Sequence, residues 1–244
     1  MTAVSAEDIE RFVGRYSIGR DSSPFDATGS LHFLRLKVPG GLITSGQLRR
    51  VAELAKEYGR GQLEITDRQD IQLHWVRSED ALDVFAAAEE LGFTTDMCGQ
   101  GFSGARHGDV RNVVCCPVSG IEKGEIIDGY PLVRDLTKFF VGNPDFLDLP
   151  RKFKFAVSGC GSDCTRAVTD DLAFIGVKKG DRIGFTILLG GSAGPSLPGP
   201  RLAKPTAIFF GPEDAFDVAV ATAEIHRDYG NRNSKAKARF KWLI

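Results

Sequence analysis

The sequence lacks any apolar run long enough to cross a membrane, and its first residues contain neither a basic segment nor an apolar one. A membrane helix needs about 20 mostly apolar residues, and a secretory signal needs both of those segments. The chain also lacks an excess of either charge, since 31 Lys and Arg face 32 Asp and Glu. No overall field therefore selects nucleic acid or an anionic membrane surface, and any anion must be bound by a local cluster. We expect a cytoplasmic protein that binds neither nucleic acid nor membrane.

Cysteine is scarce, and the number of cysteines, five, is odd. A disulfide framework is therefore not indicated. Four of the five fall in one stretch, as a Cys115-Cys116 pair and a Cys160-x3-Cys164 pair. Buried free cysteines can be small apolar residues, but the combination favours thiolate metal binding. No histidine lies at ligand spacing to a cysteine, which favours an iron–sulfur cluster or a structural zinc.

Cations are interleaved with these cysteines. Arg111 precedes the first pair, and Lys152 and Lys154 precede the second. Both lysines lie at the start of a predicted strand, so the two-residue period places their side chains on one face. A solvated strand face is the simple interpretation. An all-thiolate zinc site needs no nearby cations, however, so the pattern favours an anion site beside a cluster.

The first part of the chain has the order of a split βαβ fold. We predict strands at 31–38, 62–66, 70–76 and 93–95, and helices at 45–58 and 78–91, each helix ended by a glycine. The order strand, helix, strand, strand, helix, strand is that of a ferredoxin-like fold. Residues 1–29 are polar and predict an irregular arm.

A glycine-rich stretch at 99–108 marks a boundary. Beyond it we predict helices at 130–141 and after Pro212, with strands at 153–157, 172–177, 184–189 and 207–210. The chain ends in a basic tail. The fold class is therefore α+β, with an N-terminal arm at 1–29, a ferredoxin-like half domain at 30–97 and a mixed α/β domain at 98–244.

Several motifs in order resemble one family, the sirohaem-dependent sulfite and nitrite reductases. The resemblance is to the half that carries the anion-binding cage, and it covers residues 30–244. The matching stretches are 63–74, which contains Thr66-Asp67-Arg68-Gln69, then 108–113, 116–120, 149–154, 171–176, 227–232 and 238–241.

The resemblance implies a sirohaem and a [4Fe–4S] cluster held in the mixed α/β domain. It implies a substrate cage of four cations, which are Arg68, Arg111, Lys152 and Lys154. Gln72, His74 and Asn112, together with the two cage arginines, lie in stretches that line the macrocycle in the family.

The cluster ligands match the family only in part. Cys116, Cys160 and Cys164 fall at cluster positions, with Cys164 as the thiolate that bridges to the sirohaem iron. The family's first ligand would stand six residues before Cys116, where this chain has Val110. Cys115, in the same loop, is our expected fourth ligand, and Cys98 is the alternative.

The implied reaction is the six-electron reduction of sulfite to sulfide, with nitrite reduction to ammonia as the alternative. A non-catalytic, sirohaem-bearing electron-transfer subunit and a corrin-pathway monooxygenase without sirohaem also stay open. Electrons would come from a separate donor such as a ferredoxin. Because the chain resembles one half of a two-half enzyme, we expect a homodimer or a heterodimer with a homologous half, with a compact monomer as a further option.

Overall fold

The computed structural model describes residues 4–20, 31–96, 108–194 and 199–244. Its first sheet has four antiparallel strands: β1 (Gly19–Arg20), β2 (Leu31–Leu36), β3 (Leu63–Ile65) and β4 (Ile71–Arg77), in the order β1-β2-β4-β3. Two helices cover one face, and they are named α2 (Ser45–Tyr58) and α3 (Ala81–Glu90). The predicted ferredoxin-like fold is confirmed. Its last strand is reduced to a single bridge between Leu36 and Thr95.

Local sequence explains why α2 begins where it does. Thr44 is the N-cap, and its hydroxyl accepts from the backbone N–H of Gln47 while the Gln47 side chain accepts from the Thr44 backbone. This reciprocal pair satisfies two of the unpaired donors of the first turn. Val51 and Leu54 then fall at helical spacing and are buried against the sheet.

The N-terminal segment contains a helix, so the prediction of an irregular arm is wrong for the part that the structure describes. Helix α1 (Ala6–Phe12) begins with a capping box between Ser5 and Asp8. Phe12 and Tyr16 are buried with Phe85, and the Tyr16 hydroxyl donates to the Phe93 carbonyl at 2.7 Å. The apolar pattern of this helix is too short to stand out in the sequence. The one local signal that could have indicated it is the Ser-x-x-Asp capping pattern of Ser5 and Asp8.

The second sheet has five strands, β5 (Val114–Cys115), β6 (Phe155–Ser158), β7 (Leu172–Lys179), β8 (Arg182–Leu189) and β9 (Lys204–Phe210), in that spatial order. The pairs β5–β6 and β6–β7 are parallel, and the remaining pairs are antiparallel. Helices α4 (Tyr130–Phe140) and α5 (Ala215–Tyr229) pack on one face over a core rich in phenylalanine. No helix in the described parts of the chain is long and apolar enough to cross a bilayer.

The basic C-terminal tail folds into the core of the second part. Phe240 is buried against Phe153, and Lys241 is buried with its ammonium group donating to the Gly199 carbonyl at 2.6 Å. Arg239 donates to both oxygens of Asp171 at 3.0 and 2.8 Å. The glycine-rich boundary predicted at 99–108 lies almost wholly outside the described residues, so the division into domains stays a prediction.

Phe12→Ala should lower the free energy of unfolding by about 3–5 kcal/mol, because a buried aromatic ring is removed from the first core. Ile9→Ala in the same helix should cost about 0.5 kcal/mol or less, since Ile9 is half exposed. Denaturant unfolding of both variants checks this. Equal, small losses would show that α1 does not belong to the cooperative core.

Candidate functional site

A cavity of about 140 Å³ lies where the two sheets meet, and its lining is almost entirely charged. It contains all four cations that the sequence predicted to act together. The lining residues are Arg35, Thr66, Asp67, Arg68, Asp70, Asp96, Arg111, Lys152 and Lys154.

Backbone pairing places Arg111 beside the two lysines. The Arg111 N–H donates to the Phe153 carbonyl at 2.8 Å, and the Phe153 N–H donates to the Asp109 carbonyl at 3.0 Å. A Cβ at Gly108 would clash with the backbone nitrogen of Lys152, so this close approach requires glycine. Phe153 points into the core, and the alternation of side chains sends Lys152 and Lys154 to the cavity.

Arg68 reaches the cavity from the turn between β3 and β4 and is held rigidly. Its guanidinium donates to Asp170 at 2.6 Å and to the backbone carbonyls of Asn112 and Phe155 at 2.8 and 3.0 Å. Asn112 in turn donates to the carbonyls of Val38 and Arg68 at 2.9 and 3.0 Å. Asn112 therefore supports the turn that carries Arg68 and does not line the cavity itself.

Buried acids form ion pairs with the cations of the cavity, and the sequence did not predict these acids as part of the site. Asp96 is fully buried and pairs with Arg111 at 3.2 Å, Lys37 at 3.5 Å and Arg35 at 3.6 Å. Burial alone would raise the pKa of Asp96, but these three cations bring it to about 2. Asp109 adds contacts to Arg111 at 3.3 Å and Lys37 at 3.6 Å. Asp96 is far from Arg35 and Lys37 in the sequence, so no local spacing could have indicated their ion pairs, whereas Asp109 and Arg111 are only two residues apart.

The two lysines differ from the arginines, because no acid in the described parts of the chain forms an ion pair with either of them. Burial, followed by the repulsion of Arg111 and Lys154, lowers the pKa of Lys152 to about 8. Burial and the neighbouring Arg68 also lower the pKa of Lys154. Lys152 can therefore change its protonation near neutral pH.

Gln72 and His74 lie beside the cavity rather than in it. They alternate with the core residue Leu73, so they face the side of the first sheet that the helices leave uncovered. The Gln72 amide oxygen accepts from Nε of Arg35 at 2.7 Å, and its nitrogen donates to Glu64 at 3.0 Å. His74 lies 3.1 Å from the same carboxylate.

The structure brings three of the predicted cysteine ligands to one pocket. Cys116, Cys160 and Cys164 line a pocket of about 190 Å³. The backbone N–H of Cys116 donates to the Val157 carbonyl at 3.3 Å, which ties its loop to the end of β6. In the parts of the chain that the structure describes, no three His, Cys, Asp or Glu side chains are close enough together to hold a metal ion.

Cys115 is not brought to this pocket. Its side chain is fully buried in the second core, on the opposite face of β5 from Val114, and burial raises the pKa of its thiol to about 11. A metal ligand must be a thiolate with free access to the site. The geometry does not support Cys115 as the fourth ligand, and Cys98 lies outside the described residues.

The cation cavity and the cysteine pocket lie at opposite ends of the same two parallel strands. Arg111 precedes β5 and Lys154 precedes β6, whereas Cys116 follows β5 and Cys160 follows β6. A strand advances about 3.3 Å per residue, so the backbones of Lys154 and Cys160 are up to about 20 Å apart.

Two family models match the chain. The nitrite and sulphite reductase 4Fe-4S domain matches residues 107–244, and the nitrite/sulfite reductase ferredoxin-like half domain matches residues 26–91. Together they cover the two sheets described above.

Individual relatives agree with these models. A ferredoxin–nitrite reductase of Leptolyngbya laminosa is 35% identical over 216 residues, which are 86% of this chain and 41% of that protein. A ferredoxin-type sulfite reductase of Mycobacterium tuberculosis is 31% identical over 86% of this chain and 36% of its own length. The chain thus spans less than half the length of these relatives.

Solved structures show the same architecture. The structure of the Mycobacterium tuberculosis NirA protein matches 99% of this chain and 44% of its own, with a TM-score of 0.78 and 27% identity. A dissimilatory sulfite reductase matches 94% of this chain and 72% of its own, with a TM-score of 0.72 at 18% identity, which concerns the fold alone.

Anion binding in the cavity should weaken as the pH rises above about 8, because Lys152 loses its proton there. A group that must be protonated for binding lowers affinity by about tenfold per pH unit above its pKa. Lys152→Arg should flatten this dependence, since Arg stays charged, and the exposed Lys138→Arg should not change it. Calorimetric titration with sulfite at several pH values measures this. An unchanged slope in Lys152→Arg would assign the titration to another group.

Proposed function

Because the chain belongs to the nitrite and sulphite reductase family, we propose that it is a sirohaem- and [4Fe–4S]-dependent reductase unit that reduces sulfite to sulfide. The observation that carries the proposal is the convergence of Arg68, Arg111, Lys152 and Lys154 on one small cavity. A cavity of this size and charge suits a small oxyanion.

The side chains present fit the two cofactors that the family indicates. Cys116, Cys160 and Cys164 offer soft thiolate ligands around one pocket, which suits an iron–sulfur cluster. The uncovered face of the first sheet brings Arg35, Gln72 and His74 next to the cavity, where their polar groups can meet the carboxylates of a macrocycle. When bound, these cofactors would supply the electrons for the reduction.

The protein's own residues would bind the substrate and deliver protons. Arg68 and Arg111, held by Asp170 and Asp96, present fixed positive charge to the oxygens of the anion. Lys152, with a pKa of about 8, holds a proton on Nζ that it can give up near neutral pH. Lys154 is placed to do the same from the next position on that face.

Nitrite is the second candidate substrate, because one of the similar proteins is named as a nitrite reductase and another as a sulfite reductase. Lysine at both 152 and 154 is the pattern that the sequence resemblance associates with sulfite. A ferredoxin is the proposed electron donor, since the names of both relatives include one.

We further propose that each complete site is shared between two copies of the chain, or between this chain and a homologous half. The separation between Lys154 and Cys160 supports this, because the cavity and the thiolates of one copy lie at opposite ends of β6, whereas a complete site would need both together. In a two-fold assembly, the cavity of one copy would face the thiolates of the other. A compact monomer with a single complete site fits this separation less well.

Protein purified without oxygen and loaded with both cofactors should contain sirohaem, iron and sulfide, and should form sulfide from sulfite with a reduced viologen as donor. Nitrite is assayed in parallel. Cys160→Ser should lose iron, whereas Cys115→Ala should keep it, since the Cys115 thiol lies in the core. Iron without a tetrapyrrole would contradict the function, as would cofactors in place with neither anion reduced. If Cys115→Ala also loses iron, Cys115 is a cluster ligand after all.

A hybrid dimer tests the shared site. Cys164→Ser and Lys154→Ala homodimers should each be inactive. A purified hybrid of one copy of each contains one intact cavity facing one intact set of thiolates, so it should regain about half of the wild-type activity. An inactive hybrid of normal mass would place the complete site within one copy.

A further inference from the structure

Asp70 lines the cation cavity without the partners that its neighbours have. The residue is fully buried, and among the described residues no hydrogen-bond donor reaches either oxygen of its carboxyl group. Asp96, which lines the same cavity, instead has ion pairs with Arg111, Lys37 and Arg35. Arg35, Lys37 and Arg111 are thus committed to Asp96, and Arg68 is committed to Asp170.

An ionised carboxylate in this position would be strongly disfavoured. It would be removed from water without hydrogen bonds, and it would lie close to a second carboxylate that is already ionised. Burial, followed by the repulsion of Asp96, raises the pKa of Asp70 well above its ordinary value, against the attraction of Arg68, Lys37 and Arg35.

Polar and charged groups from several elements line the cavity with Asp70 or act on its charge. Its own turn provides Thr66, Asp67 and Arg68, strand β2 and the residue after it provide Arg35 and Lys37, and the segments that follow provide Asp96, Arg111, Lys152 and Lys154. The two lysines have no acid partner among the described residues, yet they form no ion pair with Asp70 either.

We propose that Asp70 is a neutral carboxylic acid in the cation cavity and that its O–H donates a hydrogen bond to the bound oxyanion. The acid would add a directional donor to the site without adding positive charge. It would complement the positive charge of the four cations. This inference rests on the proposed function only in requiring that the cavity binds an oxyanion.

Infrared difference spectroscopy can observe this proton directly. At neutral pH, the spectrum of the wild type minus that of Asp70→Asn should contain the C=O band of a protonated carboxyl group. Asp67→Asn, which removes the exposed acid of the same turn, should show no such band. Added sulfite should shift the band in the wild type, a measurement that needs no variant to fold. If Asp70→Asn loses only carboxylate bands, the proposal is overturned.

Affinity gives an independent test, with sulfite as the titrant and calorimetry as the measurement. Asparagine keeps a neutral donor, so Asp70→Asn should bind sulfite within about threefold of the wild type. Asp70→Ala loses the donor and should bind about tenfold more weakly. If Asp70 were ionised, its replacement by Asn would remove a repelling charge, and sulfite would bind many times more tightly.

The two proposals fail separately. A protein that shows the carboxyl band and binds sulfite, but reduces neither sulfite nor nitrite, would refute the reductase function and leave the role of Asp70 intact. A protein that reduces sulfite and lacks the band would refute the role of Asp70 and leave the reductase function intact.

Discussion

Four cations can share one small cavity only if their mutual repulsion is offset, and the rest of the site depends on how this is done. Asp96 is the centre of that arrangement, since it is fully buried and pairs with three cations from two separate segments, Arg35 and Lys37 at the end of β2 and Arg111 before β5. Asp170 does the same for Arg68. These buried pairs fix the arginines, because breaking either pair would leave an uncompensated charge away from water.

The positive charge of Lys152 and Lys154 is not offset by an ion pair with any acid in the described parts of the chain. Asp171 accepts from the backbone N–H of Lys154 at 3.0 Å, but its carboxylate pairs with the guanidinium of Arg239 and forms no ion pair with either lysine. The two arginines, which are held by ion pairs, and the two lysines, which are not, therefore differ in how they respond to pH. The arginines keep their charge at any physiological pH, whereas lysine titrates readily when it is desolvated among other cations. The lowered pKa of Lys152 is the direct result.

Much of this could be predicted from the sequence, where the signal was local. The alternation around Phe153 predicted that both lysines share a face, and the hydrophobic periods predicted the two helices of the first sheet and both helices of the second. The acids behind the cations could not be predicted in this way. Lys37 meets Asp96 only because the chain returns after α3 to the edge of the first sheet, where Thr95 bridges Leu36.

The same limit applies to the cysteines. Adjacent residues in the sequence suggested that Cys115 and Cys116 act together, but a strand sends successive side chains to opposite faces. Cys115 is the last residue of β5 and its side chain joins the core, while Cys116 follows the strand and lines the pocket. Because β5 has only two residues, the sequence shows too little alternation to predict that the two cysteines face opposite sides.

An anion that enters the cavity changes the balance around it. Its negative charge favours the protonated form of Lys152 and Lys154, so binding raises their pKa and draws protons into the site. Binding of an anion and uptake of protons would then be coupled. A reduction that consumes protons at each stage would begin with those protons already beside the oxygens that need them, and the free energy of desolvating two unpaired lysines would be recovered only when the anion is present.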